Sequence, residues 1–302
     1  MVRGLGILVG LVFAFVVLWA FGHGAYTYVT NPPEQTAEAR YHLPPREEVR
    51  FSFDGPLGRF DEQQLQRGFQ VYREVCSTCH GLGQVAFRSL RDIGYSEAEV
   101  RAIADQWPHQ VPSINPDTGE AATRKAIPAD HIPGPYANDT MARAANNNAL
   151  PPDLSLMAKA REGGPHYIYS ILTGFRNPPA GYEVPQGLHY NPYFPNLNIA
   201  MPPPLTADGQ VTYAPGNPRP TVDQMAQDVS AFLMWAAEPN LTTRHAVGLP
   251  VLVFLLIATI LAYLSYQNIW HGGDRRVRAT GALDPENMEK RQQASREAGV
   301  TE

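Results

Sequence analysis

Residues Phe60 to Gly81 read FDEQQLQRGFQVYREVCSTCHG, and the two halves of this stretch carry different messages. In the first half Asp61 is placed to cap a helix, and Gln64 three residues later completes a capping-box pattern. Leu65, Phe69, Tyr72 and Cys76 then recur at helical spacing and give that helix one apolar face. Gly68 sits inside it at a cost of about 1 kcal/mol relative to alanine, so another element must pack tightly there. A second helix is the expected partner. Its sequence is TVDQMAQDVSAFLMWAAEP, in which Thr221 and Gln224 repeat the capping-box pattern, Met225, Val229, Phe232, Leu233 and Ala236 form an apolar stripe, and Pro239 stops the helix.

The second half, Cys76-Ser77-Thr78-Cys79-His80, is the C-x-x-C-H signature of covalent c-type haem attachment. On a helical turn, residues i, i+3 and i+4 share one face, so two thiols reach the haem vinyls while the adjacent imidazole addresses the iron. Both cysteines of the chain become thioethers, and none is left for a disulfide. A structural zinc site wants a second ligand pair, which the sequence lacks. A thioredoxin-like redox pair wants a βαβ setting, which is missing too.

The rest of the 302 residues bounds the protein's class. Proline, at 28 residues, is about 9% against a usual ~5%, while 44% of residues are hydrophobic. Long proline-punctuated loops follow, and general disorder does not. The net charge of -5, with 24 basic residues among 29 acidic ones, offers no basic field for a phosphate backbone, so nucleic acid is excluded as a partner. Further helical stretches fall around Ser96 to Gln106 and His166 to Leu172, alternating strand patterns are scarce, and no internal repeat is evident. The stretch NPPEQTAEARYHLPPREEV reads as polar and irregular.

Two apolar segments place the chain at a membrane. Leu5 to Phe21 holds seventeen uncharged residues behind Arg3, as a signal peptide or an anchor would. Gly22, Gly24 and Ala25 fit a cleavage site, although His23 is awkward there. Ala246 to Tyr266 holds 21 uncharged residues, roughly 31 Å as helix, which matches a ~30 Å hydrocarbon core. Pro250 is expected in its first turn. Tyr263, Tyr266 and Trp270 suit an interfacial belt, and Arg275, Arg276 and Arg278 then put the C-terminus in the cytoplasm. The expected division is a signal peptide or N-terminal anchor over 1–25, an exported haem domain over 26–245, a transmembrane helix over 246–270 and a polar cytoplasmic tail over 271–302. That tail has no apolar period and is expected to be disordered or to lie on a partner. The fold class is mainly α, a cytochrome c-like haem domain with long Pro/Gly-rich loops plus a C-terminal transmembrane helix.

The sixth iron ligand is open at this level. Met225 and Met234 belong to the second helix and are expected to pack. Met141, Met157 and Met201 remain, with His189 or His166 as bis-His alternatives. A methionine there raises the potential, as electron-transfer cytochromes require. Met201 lies between NPYFPNLNIA and Pro202-Pro203-Pro204, a stiff loop able to hold a thioether at low entropic cost.

FDEQQLQRGFQVYREVCSTCHG, ARAANNNALPPDLSLMAKAR, GGPHYIYSILTGF, NPYFPNLNIAMPPPL and DVSAFLMWAAEP, in this order and followed by a C-terminal anchor, resemble the blocks of cytochrome c1, the haem c subunit of the ubiquinol:cytochrome c oxidoreductase (bc1) complex. The resemblance runs from about Phe51 to the last apolar segment. It implies one covalent haem c, Met201 as the distal ligand beside His80, and haem-pocket roles for Asn146, Pro152, Arg161, Tyr167 and Phe194. Arg161 would pair with a propionate through its fork of donors, and Tyr167 would offer its phenol to the same group. Asn148 stands where the family often has glycine, so its backbone is open to a different course. The chain lacks the extra disulfide and larger insertions of many bacterial relatives and resembles the compact form.

The resemblance also implies a function: one electron passes from the Rieske iron-sulfur protein to a soluble cytochrome c, while cytochrome b handles the quinol. The complex would be dimeric and seated in the bacterial inner membrane, with the haem domain in the periplasm. No acid, base or nucleophile is needed on this subunit. Glu162, Glu183, Asp223 and Asp228 are candidates for steering a basic cytochrome c. Two other readings stand beside it, a membrane-tethered cytochrome c serving a different oxidase or reductase, and a haem enzyme or gas sensor with an open sixth position.

Overall fold

The structure is a computed structural model that describes residues 2–32, 35–276 and 284–299, with side chains described outside 271–276. It divides into two compact units, Met1–Ser52 with Phe60–Pro239, and Phe53–Arg59 with Asn240–Glu302.

In the first unit the elements run in order α1 (Val2–Thr30), α2 (Ala37–Tyr41), α3 (Glu62–Glu74), β1 (Leu82–Ala86), α4 (Glu97–Asp105), β2 (Val111–Ile114), β3 (Ala121–Arg124), β4 (His131–Ile132), α5 (Asp139–Ala145), α6 (Met157–Ala160), α7 (Pro165–Thr173), β5 (His189–Tyr190), β6 (Asn198–Ile199) and α8 (Val222–Ala237). Three antiparallel two-stranded ladders, β1–β4, β2–β3 and β5–β6, are the only sheets among the described residues. Helices and loops therefore carry the fold, as expected. The stretch read as irregular contains the short helix α2, capped by Thr36, whose side chain accepts from the Ala39 N–H.

The centre of the unit is the crossing of α3 and α8. A Cβ placed on Gly68 would lie 2.0 Å from the Asp228 carbonyl oxygen and 2.6 Å from the Phe232 Cβ, so only glycine lets the helices approach this closely. The expected stripe residues Met225, Val229, Phe232 and Leu233 are buried, as are Leu65, Phe69 and Tyr72 opposite. Their rings form one aromatic cluster in which Phe69 meets Phe232 at 5.5 Å and Tyr72 stacks with Trp107 at 6.3 Å. Asp61 caps α3 by accepting from the Gln63 and Gln64 N–H groups. At α8 only half of the expected box forms. Thr221 accepts from the Gln224 N–H, while the Gln224 side chain turns instead to Asp228. A reciprocal box closes at α4, between Ser96 and Glu99.

In the second unit α9 (Leu241–Arg276) is one continuous helix. Pro250 lies inside it rather than in its first turn, because the helix begins at Leu241, ahead of the apolar run. The 53–59 loop is tight at Gly58, and His245 Nδ1–H donates to the Gly58 carbonyl at 2.8 Å. Val2–Thr30 and Leu241–Trp270 are long and apolar enough to cross a membrane. In the expected disordered tail, residues 277–283 and 300–302 lie outside the described residues. The part between forms α10 (Pro285–Glu297), with Asp284 as its cap and Pro285 in its first turn. Its side chains are almost all exposed, which explains why no apolar period announces it.

Candidate haem site

Helix α3 delivers the C-x-x-C-H turn directly. After Val75 the chain tightens into a 3₁₀ turn over Cys76–Thr78, in which the Cys79 and His80 N–H groups both donate to the Cys76 carbonyl, at 3.1 and 2.9 Å. Ser77 Oγ donates back to the Arg73 carbonyl, and Thr78 Oγ1 to the Val75 carbonyl. The tightening uses local donors, so the turn is held by its own sequence. Tyr72, fully buried, donates its phenol to the His80 carbonyl at 3.0 Å. Burial of the Cys76 thiol, reinforced by neighbouring Cys79, pushes it up to about 12.

The imidazole of His80 is fixed by Pro152. Its Nδ1 lies 2.7 Å from the Pro152 carbonyl, which can only accept, so Nδ1 carries the proton and Nε2 keeps its lone pair. Burial holds His80 below its ordinary value, opposed by the Pro152 carbonyl and by Asp153, so the ring is neutral at pH 7. The Pro152 segment is stapled in turn. The Leu154 N–H donates to the Gly81 carbonyl at 3.0 Å, Gly83 N–H to Asp153 Oδ2 at 2.6 Å, and Gln84 N–H to Ser155 Oγ at 3.0 Å. Gly81 and Gly134 approach so closely that a Cβ on Gly81 would stand 2.9 Å from the Gly134 nitrogen. Asp153 and Ser155 were not among the expected pocket residues. The signal was present, since Asp153 Oδ1 also accepts from the Ser155 N–H, the local turn that an Asp-x-Ser sequence favours.

The other expected pocket residues lie on three further segments. Asn146 caps α5 and spends its amide nearby, donating to Tyr136 Oη at 2.9 Å and to the Ala142 carbonyl at 2.7 Å. The following Asn147 and Asn148 have φ of 51° and 63°. Asparagine at 148 thus adopts the left-handed conformation that glycine favours, which its short polar side chain tolerates. Arg161 and Tyr167 are brought together. Burial raises the Tyr167 phenol, and Arg161 acts against that rise through charge and a hydrogen bond. Phe194 and Met201, both half-buried, lie on the loop that runs through β6. Buried Asn191 ties that loop to α7, donating to the Ile171 carbonyl at 2.8 Å and accepting from the Tyr193 N–H. Beyond Met201, Gln210 donates to the Pro204 carbonyl at 2.8 Å and closes the proline run into a turn.

The alternative ligands have other surroundings. Met141 is exposed on α5, and Met157 opens α6. His166 donates from Nε2 to the Val49 carbonyl at 3.0 Å and packs edge-on against Phe51. Two thiols on one turn and an imidazole with a free Nε2 fit a covalently attached haem whose iron takes one axial nitrogen.

One expectation about charge is corrected. Asp228 is completely buried, and its carboxylate takes both Nε and Nη2 of Arg67 at 2.9 and 3.1 Å, together with the Tyr213 phenol and the Gln224 amide. It cannot steer a partner. Glu162, Glu183 and Asp223 remain exposed, Asp223 holding the Tyr169 phenol.

Comparison with known proteins gives the same picture. A model of the Cytochrome C1 family matches residues 51–272. The chain is 48% identical over 236 residues to a cytochrome c1 of Rhodospirillum rubrum, covering 73% of this chain and 85% of that protein. It is 47% identical over 206 residues to the mitochondrial cytochrome c1 heme protein of Kluyveromyces lactis, covering 68% and 69%. It is also 44% identical over 243 residues to a protein of Bradyrhizobium diazoefficiens named cytochrome b/c1, covering 73% of this chain and 35% of that longer one.

Proposed function

The chain belongs to the cytochrome c1 family, and from that premise we propose that it passes one electron from the Rieske iron-sulfur protein to a soluble cytochrome c. It is a haem-carrying electron-transfer subunit of the bc1 complex, alongside cytochrome b and the Rieske protein, with one covalently bound haem c. When bound, the haem supplies a one-electron couple whose potential rises with a thioether ligand.

In our reading Cys76 and Cys79 would form the thioethers, His80 Nε2 and the Met201 sulfur would be the two iron ligands from the protein, and Asn146, Pro152, Arg161, Tyr167 and Phe194 would line the pocket. The observation that carries this is the His80–Pro152 hydrogen bond, which fixes the tautomer and points the free ring nitrogen away from its backbone partner. Buried Tyr72 and the 152–155 staple would hold the imidazole in one orientation toward a bound haem. Arg161 and Tyr167 provide donors for carboxylates at the pocket edge. Glu162, Glu183 and Asp223 would steer a basic acceptor.

We assign residues 1–25 to a signal peptide or anchor, 26–245 to a periplasmic haem domain, 246–270 to the membrane span and 271–302 to a cytoplasmic tail, within a dimeric complex of the bacterial inner membrane. The longer relative named cytochrome b/c1 supports adjacency to cytochrome b. The test replaces Met201 with alanine in the assembled complex. A large fall in the haem potential and ready carbon monoxide binding to the reduced haem are expected. An unchanged potential removes Met201 from the iron, and copurification with an oxidase in place of cytochrome b overturns the partner assignment.

A further inference from the structure

The stretch from Tyr41 to Phe51, ahead of the haem-binding turn in sequence, lies across the two segments that carry Tyr167 and Met201. Its central residue is Arg46. The Arg46 N–H donates to Ser170 Oγ at 2.8 Å, Nε to the Tyr193 phenol at 2.7 Å and Nη1 to Thr173 Oγ1 at 3.2 Å. The guanidinium also sits over the Tyr193 ring at 5.1 Å and near the Tyr169 ring at 6.0 Å. Ser170 and Thr173 are on α7, while Tyr193 is on the loop, next to Phe194. A single side chain thus joins the α7 face to the loop that ends at Met201.

Its neighbours act in the same sense. The Leu43 N–H donates to the Pro192 carbonyl at 2.8 Å. Pro45 covers Gly163, where a Cβ would stand 2.7 Å from the Pro45 Cγ and φ is +81°, so glycine is required on both counts. The Val49 carbonyl holds His166, the residue before Tyr167.

We propose that the 41–51 strap is a clasp for the distal side of the haem pocket and that Arg46 is its positioning residue, setting how firmly Met201 is presented to the iron. The physical reason is the loop itself. The β5–β6 ladder only pairs the loop's own two arms, and besides the strap the loop is tied outward by Asn191 to the Ile171 carbonyl and by Asn198 to the Tyr182 phenol. Charge-assisted hydrogen bonds from Arg46 to a tyrosine and a threonine, with two aromatic faces beneath, restrict the loop where it turns toward Met201. The forked planar guanidinium is needed to reach Tyr193 and Thr173 together, and lysine would keep the charge without the fork.

The inference rests on Met201 as the axial ligand, and the experiment separates the two. Arg46→Ala, Arg46→Lys, Tyr193→Phe and Met201→Ala are compared in the full-length chain within the membrane-bound complex. Three quantities are read: the haem potential, the methionine-to-iron charge-transfer band of the oxidised protein, and the rate of carbon monoxide binding after reduction. Arg46→Ala is expected to weaken the band, lower the potential and speed carbon monoxide binding about tenfold, the equivalent of one charged hydrogen bond. Tyr193→Phe, which removes only one hydroxyl, should move all three the same way by less, and keeps the test open if Arg46→Ala does not assemble. Arg46→Lys should fall between wild type and alanine. If Met201→Ala changes all three while the Arg46 and Tyr193 variants change only thermal stability, the clasp is overturned and the ligand stands. If Met201→Ala changes none, both fall.

Discussion

From His80 to Gln84 the chain is fastened to one tetrapeptide, Pro152 to Ser155, through four hydrogen bonds at its backbone or ring, whereas the loop from Asn191 to Met201 is tied outward by Arg46 at Tyr193, by Tyr182 at Asn198 and by its own Asn191 to the Ile171 carbonyl of α7. The His80 side follows directly from α3, the helix locked against α8 by Gly68 and by the Arg67–Asp228 pair. The Met201 side has no helix of its own. Arg46 reaches it across 147 residues of sequence. The first arrangement resists perturbation because many short links share the load. The second hangs on a few groups, so it is where a small change can alter the haem without unfolding the domain.

That contrast predicts that substitutions on the His80 side cost stability in proportion to burial, while the surviving protein keeps its potential. Asp228→Asn should cost most, about 3 to 5 kcal/mol, because it leaves the Arg67 guanidinium buried without its counter-charge. Thermal unfolding of the subunit measures this, and a melting point near wild type would mean that the pair is dispensable. Gly68→Ala comes next, at about 2 kcal/mol or more, since the new methyl must push the Asp228 backbone away. An unchanged melting point would show that α3 and α8 separate at no cost. Asp153→Ala should cost about 1.5 kcal/mol by releasing the Gly83 and Ser155 N–H groups. The Pro152 bond survives that change, so the potential should barely move, and a large shift would break the claim of shared load. Asn148→Gly should change stability by about 0.5 kcal/mol or less, because relief of the left-handed backbone is offset by a freer unfolded chain. A loss well beyond that would assign the Asn148 side chain a task of its own.

Much of the His80 side was legible in sequence because its determinants are local. Caps at Asp61 and Thr221, the apolar spacing of both helices and a glycine that costs helix stability all point to a close helix pair, and the structure contains it. The C-x-x-C-H turn needs no tertiary information to be read. The misses have separate causes. Asp228 resembles a surface carboxylate because helical periodicity reports which face is apolar, not which polar residue on that face has a partner, and Arg67 lies 161 residues away. The stretch NPPEQTAEARYHLPPREEV, residues 31–49, reads as irregular although it contains α2, because beyond Tyr41 its bonds run to α7 and the 190s. Hydropathy marks where the apolar run begins and so sets Pro250 in the first turn, whereas α9 starts at Leu241 and Pro250 lies inside it. The α10 helix has good caps and no buried face, so periodicity is silent about it.

The sequence by itself determined the C-x-x-C-H turn proposed to hold the haem, the helix pair that presents it and the two segments able to cross a membrane, since each is written in spacing, capping or uninterrupted hydropathy over fewer than about thirty residues. Tertiary structure alone decided that Pro152 fixes the His80 tautomer, that Asp228 is a buried counter-ion and that Arg46 joins α7 to the Met201 loop. Each of these is a pairing between residues far apart in the chain, and a sequence records the partners without recording the distance between them.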